Sequence, residues 1–167
     1  FKSTWQDGRF RLNATGYHMI WNDIQIQVFD PVATFFSLGI INLAKANING
    51  VEAHFEWIPA DNWNFSGNLG YNDATLAQAA IDANLGVALP DGQRLPLMAK
   101  WKTTLTGEYT FPQEILGGQP YALLSWNYKS NSLNSLGGLG GTASLNTTKT
   151  HPAYHTVDFR VGLNAGD

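Results

Sequence analysis

Two alternating runs flank the tetrapeptide PADN at 59–62. Before it, Val51, Ala53, Phe55 and Trp57 interleave with Glu52, His54 and Glu56. After it, Trp63, Phe65, Gly67, Leu69 and Tyr71 interleave with Asn64, Ser66, Asn68 and Gly70. Successive side chains of an extended chain point to opposite faces, so period-two alternation predicts strands. The same pattern predicts a short strand over 1–5, a second over 9–28, the pair just described over 46–58 and 63–77, and three more over 100–111, 121–129 and 154–163. In the second run Phe10, Leu12, Ala14 and Gly16 alternate with Arg11, Asn13 and Thr15; the pattern blurs at 17–21 and resumes at Ile24. Such a blur marks either a bulge or a strand that continues past the layer imposing the alternation. In the fifth run Trp101, Leu105, Tyr109 and Phe111 oppose Lys100, Lys102 and Glu108, and in the seventh Val157 and Phe159 oppose Asp158 and Arg160.

The connections alternate in length. Short ones fall at the Asp7-Gly8 turn signal, at 59–62 and at 112–119; long ones fall at 30–42, 78–96 and 131–152. The stretch LAQAAIDANLG, 76–86, predicts a short helix inside the second long connection. Strict alternation puts every short turn at one end of a sheet and every long loop at the other, which is the layout of an outer-membrane β-barrel. The aromatic residues agree. Trp5, Trp57, Trp63, Phe111 and Tyr121 lie beside short turns, and Trp21, Tyr71, Trp101 and Tyr128 lie toward long loops. The ten steps from Trp101 to Phe111 span ~33 Å at ~3.3 Å per residue. A strand tilt of ~40° leaves ~25 Å along the membrane normal, the height of an apolar band between two aromatic girdles.

Composition sharpens this picture. Charged residues are 14% of the 167, against about 25% in ordinary soluble chains. Aromatics are 13%, and a net charge of −3 with scattered basic residues argues against nucleic acid, which needs a clustered basic footprint. The chain has no Cys, so it has neither disulfides nor thiolate metal sites. No run approaches the ~18 consecutive apolar residues of a membrane helix. A soluble β-sandwich also alternates, but these runs exceed its typical ~5–6 residues, and their polar faces are poor in Lys and Glu.

The ordered segments NDIQ (22–25), NINGVE (47–52), PADNW (59–63), GNLGYNDA (67–74) and PLMAKW (96–101) resemble the barrel of a TonB-dependent outer-membrane receptor. The resemblance runs from about Phe1 to Leu163. It implies an all-β fold: an antiparallel up-and-down transmembrane β-barrel segment of about six full strands plus a stub, part of a larger barrel of 22 strands. It also implies that 1–167 is a partial barrel domain from the carboxyl-terminal part, with the plug domain and the remaining strands outside it. The implied localisation is the bacterial outer membrane. The implied function is active uptake of a siderophore, metal chelate or similar scarce nutrient, driven through TonB and the plug. The implied partners are outer-membrane lipid, the TonB complex and a small chelate ligand. A passive porin-type barrel and a soluble carbohydrate-binding β-sandwich remain as other readings.

Within that frame the residues divide by face. Val51, Phe55, Trp57, Trp63, Phe65, Leu69, Trp101, Leu105, Tyr109 and Phe111 are expected to meet lipid. Glu52, His54, Glu56, Lys100, Lys102, Asp158 and Arg160 are expected on the lumen wall or against a plug. Aromatics and Arg are favoured where ligands dock, so Phe35, Phe36, Asp91 and Arg94 in the long loops are the candidate ligand contacts. Catalytic chemistry is not expected, and neither is a cofactor or a metal. His151 and His155 stand ~13 Å apart on an extended chain. His54 lies between Glu52 and Glu56, each ~6–7 Å away along one face, an arrangement that suits a hydrogen-bonded wall. The glycines at 137–141 lack the Lys-Ser/Thr of a phosphate loop, and no nucleophile elbow occurs.

Overall fold

The computed structural model describes residues 1–29, 38–82, 87–134 and 150–165. The strands are β1 (Lys2–Trp5), β2 (Phe10–Phe29), β3 (Leu38–Trp57), β4 (Trp63–Leu76), β5 (Ala80–Asp82), β6 (Val87–Leu89), β7 (Trp101–Thr110), β8 (Gly118–Lys129), β9 (Ser132–Leu133), β10 (Thr150–His151) and β11 (Tyr154–Ala165). Seven of them form one antiparallel sheet in the order β1-β2-β3-β4-β7-β8-β11. Every large strand therefore pairs with its sequence neighbour, as in a meander. The pairs β5–β6 and β9–β10 are small separate sheets inside the long connections. Among the described residues the sheet does not close, and β1 and β11 form its two edges.

The expected strands are all present, with one large change of boundary. β3 begins at Leu38, well before position 46, and pairs with β2 as far as Phe29. Both strands have 20 residues, about twice the 9–11 that a tilted membrane strand needs. The turn from β1 to β2 is tight: Gln6, Asp7 and Gly8 all have left-handed backbones, with φ of 55°, 53° and 90°.

Register explains the blur at 17–21. Up to the rung Gly16–Val51–Tyr71–Trp101, one face of the sheet is apolar and the other polar. Above it the faces exchange character. His18 opposes Asn49, which opposes Asp73, on the face that was apolar. On the other face Met19 opposes Ile48 and Ala74, and Trp21 opposes Ala46 and Leu76. Trp21 thus faces away from the aromatic rows below it. Alternation continues without a slip; what changes is the medium on each side. Asp23, at φ 53°, then interrupts the phase, and Ile24 joins the buried side.

The inward apolar residues of this upper part form the main cluster of buried side chains. Ile24, Ala46, Ile48, Ala74 and Leu76 pack with Leu89 and Leu95 from the β4–β7 connection, and Tyr17 and Met98 cover them. The helix expected at 76–86 does not form among the described residues, where β5 and β6 pair as strands. An isolated helix shorter than ~12–15 residues is marginal in water. Burial of Leu76 and Leu89, each 1% exposed, instead holds this connection extended against the sheet.

Candidate functional site

On the polar face of the sheet the register stacks four rows. The highest is Thr15–Glu52–Gly70–Lys102–Lys129–Tyr154, followed by Asn13–His54–Asn68–Thr104–Asn127–Thr156. Then come Arg11–Glu56–Ser66–Thr106–Ser125–Asp158 and Asn64–Glu108–Leu123–Arg160. The two middle rows are cross-linked by hydrogen bonds. The His54 ring Nδ1 lies 2.9 Å from Asn68 Oδ1, and Thr104 Oγ1 donates to Asn127 Oδ1 at 2.9 Å. Thr106 and Ser125 share a hydroxyl contact of 3.3 Å. Asn127 Nδ2 donates to Thr156 Oγ1 at 3.4 Å and to Asp158 Oδ2 at 3.5 Å. Glu56 receives Arg11 at 3.5 Å and lies 3.4 Å from His54 Nε2. Among the described residues no group of three or more His, Asp or Glu side chains is placed to hold a metal.

The upper two rows floor a cleft of about 670 Å³. A second hollow of about 320 Å³ adjoins it under the β4–β7 connection, lined by Tyr17, Glu52, Leu97, Met98 and Lys102 among others. That connection is tied inward. Arg94 bridges to Thr75 through the backbone, and its Nη2 donates to the carbonyls of Met98 and Asn131, both at 3.4 Å. Leu97 N–H donates to Leu133 O at 2.7 Å, and Trp101 N–H to Ser130 Oγ at 3.0 Å. Arg94 therefore joins two long connections. Asp91 is exposed at the tip of a turn closed by Gln93 N–H on Pro90 O, with Gly92 at φ 76°. Phe35 and Phe36 lie outside the described residues.

The opposite face carries rings in near-continuous contact. Beside the short turns Trp57–Phe65, Trp63–Phe65, Trp63–Tyr109 and Tyr109–Phe111 have centroid separations of 5.8, 5.4, 4.7 and 4.9 Å. Toward the long connections Tyr71 meets Trp101 at 4.6 Å. The family model described as TonB dependent receptor-like, beta-barrel, matches residues 1–166. The chain belongs to that family. No curated protein matches it.

TonB-dependent receptor barrels are outer-membrane proteins. All ten residues expected to meet lipid share the apolar face with the rings. Trp57, Trp63, Leu69, Trp101, Leu105 and Phe111 are exposed there. Glu52, His54, Glu56, Lys102, Asp158 and Arg160 share the polar face. Lys100 departs from the expected arrangement. Its ammonium is 2.7 Å from Asp73 Oδ1, and Asp73 alternates with Tyr71 and Leu69 on the other side of the sheet. Asn72 N–H donates to Lys100 O at 2.8 Å, so the Lys100 backbone continues the β4–β7 register, and its long side chain reaches Asp73 from there. The polar residues that sequence reasoning left unassigned are Lys129, Asn127, Thr104 and Tyr154. Alternation marks their face, but only register brings them beside Glu52, His54 and Lys102.

Arg94 is expected to act on loop order as well as on any ligand. Arg94→Ala removes two side-chain ties to carbonyls, each worth ~1.5–3 kcal/mol at a charged donor, here reduced by solvent. Hydrogen exchange of the 87–100 segment in the intact receptor should accelerate by roughly tenfold. Unchanged exchange would show that the other contacts suffice.

Proposed function

We propose that this chain forms wall and loop base of an energy-coupled outer-membrane transporter that takes up a siderophore, metal chelate or similar scarce nutrient. The apolar face, from the Tyr71–Trp101 rung to the short turns, would face lipid. The polar rows of Glu52, His54, Glu56, Lys102, Asp158 and Arg160 would face the lumen. The observation that carries this reading is the exchange of faces above Gly16–Val51–Tyr71–Trp101. A change of medium at one level across β2, β3 and β4 is what a bilayer boundary requires, since backbone and polar side chains in hydrocarbon must be satisfied internally. A soluble sandwich has no reason for such a level.

The test is uptake of a labelled iron chelate by cells producing the full-length receptor, with and without a working TonB. Accumulation that needs both supports the proposal. Equal, non-saturable entry without TonB would replace it with a passive porin. A full-length protein that stays soluble without detergent would replace it with a sandwich module.

A further inference from the structure

We propose that Lys102 and Lys129 form an anion-binding subsite in the lumenal cleft, for a ligand bearing carboxylate or phosphate oxygens. The proposal rests on the transporter reading for its setting. The two lysines oppose each other directly on neighbouring strands of the polar face. Directly opposed same-face residues have Cβ atoms ~4.5–5.5 Å apart, and like charges there repel. An anion held between the two ammonium groups would relieve that repulsion.

The chain does not supply one among the described residues. Its ion pairs there are Arg9–Asp61, Arg11–Glu56 and Lys100–Asp73, with His54 Nε2 3.4 Å from Glu56 Oε1. Lys102 and Lys129 take part in none. Glu52 shares their row, but Gly70 stands between Glu52 and Lys102, two interstrand spacings or ~9.6 Å across. Asp158 is engaged by Asn127, and Glu56 by Arg11 and His54. The contrast with Lys100, paired at 2.7 Å two residues earlier, shows that pairing is available to this segment where the geometry provides it.

The surroundings suit a small anion. Gly70 leaves the floor of the cleft without a side chain beside Lys102, so a ligand can approach the ammonium from that side. Tyr154 flanks Lys129 on the far side, and Asn68, Thr104 and Asn127 line the cleft one row below. Lysine holds phosphate and carboxylate as a compact point charge through short charge-assisted hydrogen bonds. The Leu97–Met98 segment lines a hollow over the same row.

Citrate and inorganic phosphate are the probes, titrated calorimetrically at low ionic strength against the full-length receptor in detergent. The expected result is saturable binding of at least one probe, weakened roughly tenfold by Lys102→Gln and further by Lys102→Gln/Lys129→Gln, while Lys129→Arg retains it. The preference between the probes assigns the ligand group as carboxylate or phosphate. Lys100→Gln should leave binding unchanged, since the Lys100 ammonium is held by Asp73. No saturable binding by the parent receptor, or equal binding by the double variant, overturns the proposal. A double variant that melts at a lower temperature in a receptor without probe binding also overturns it, by showing that an acidic side chain elsewhere in the barrel holds the lysines. Uptake separates the two readings. TonB-dependent uptake with an unchanged KM in the double variant leaves the transporter standing without this subsite, whereas probe binding without TonB-dependent uptake leaves the subsite without the transporter.

Discussion

Leu105→Arg should lower the stability of the receptor barrel by ~2–4 kcal/mol, the cost of an arginine at the bilayer midplane on the lipid side of a β-barrel. Leu105 occupies the middle of five apolar-face rungs, between those of Trp101 and Tyr109, and is 41% exposed. Ser66→Arg, on the polar face beside Glu56 and Thr106, should stay within ~0.5 kcal/mol. Unfolding in lipid vesicles by urea, followed by tryptophan fluorescence, reads both. Equal costs for the two, or a larger cost for Ser66→Arg, would invert the assignment of faces. A dry protein core would also reject an arginine, so Leu105→Phe is the companion variant. Lipid accommodates the larger side chain, whereas a packed core would charge ~1–3 kcal/mol for it.

Leu76→Ala should remove ~2–5 kcal/mol from the small inward core, the usual range for truncating a buried leucine. Leu76 is 1% exposed and packs with Ala46, Ile48, Ala74, Leu89 and Leu95. The loss should appear locally. The β4–β7 connection holds to the sheet through this cluster and a few backbone bonds, such as Leu95 N–H to Ala74 O at 3.0 Å. Limited proteolysis should therefore cut within 77–100 many times faster, while the barrel's own unfolding midpoint stays in place. If cleavage is unchanged, the connection is held by its ties to the β8–β11 segment instead. If the midpoint falls with it, the inward core and the barrel unfold as one unit.

Much of this was legible beforehand because a strand writes its two faces into alternate positions. The alternation of Trp101 to Phe111 or of Val51 to Trp57 needs no partner to be read, and the match of the structure to a seven-stranded antiparallel sheet follows from it. The order of short and long connections told which ends lie together. The third strand was read too short. Its first half, from Leu38, has no stable difference between faces along the chain, because the environments on the two sides are not those of the lower half. The helix at 76–86 failed for a related reason. Leu76 looks equally suited to a helical stripe, and only the apolar patch made by Ile48 and Ala74 decides that it lies on a sheet. The pairing of Lys100 with Asp73 was not legible, because the two residues meet only across neighbouring strands.

The candidate site was half legible. The face of each polar residue could be read, but not its row, because a row depends on how far one strand is shifted against the next. Lys102 and Lys129 are 27 positions apart in the chain and meet only because β7 and β8 pair in this register. The same register sets Gly70 between Glu52 and Lys102. By itself, then, the sequence determined that the chain forms long antiparallel strands with one apolar and one polar face, with short turns at one end. Local sterics and side-chain periodicity suffice for that. The level at which the faces exchange, the inward fold of the β4–β7 connection and the placing of two lysines side by side were decided only in the tertiary structure, because each depends on contacts between residues that no local pattern links.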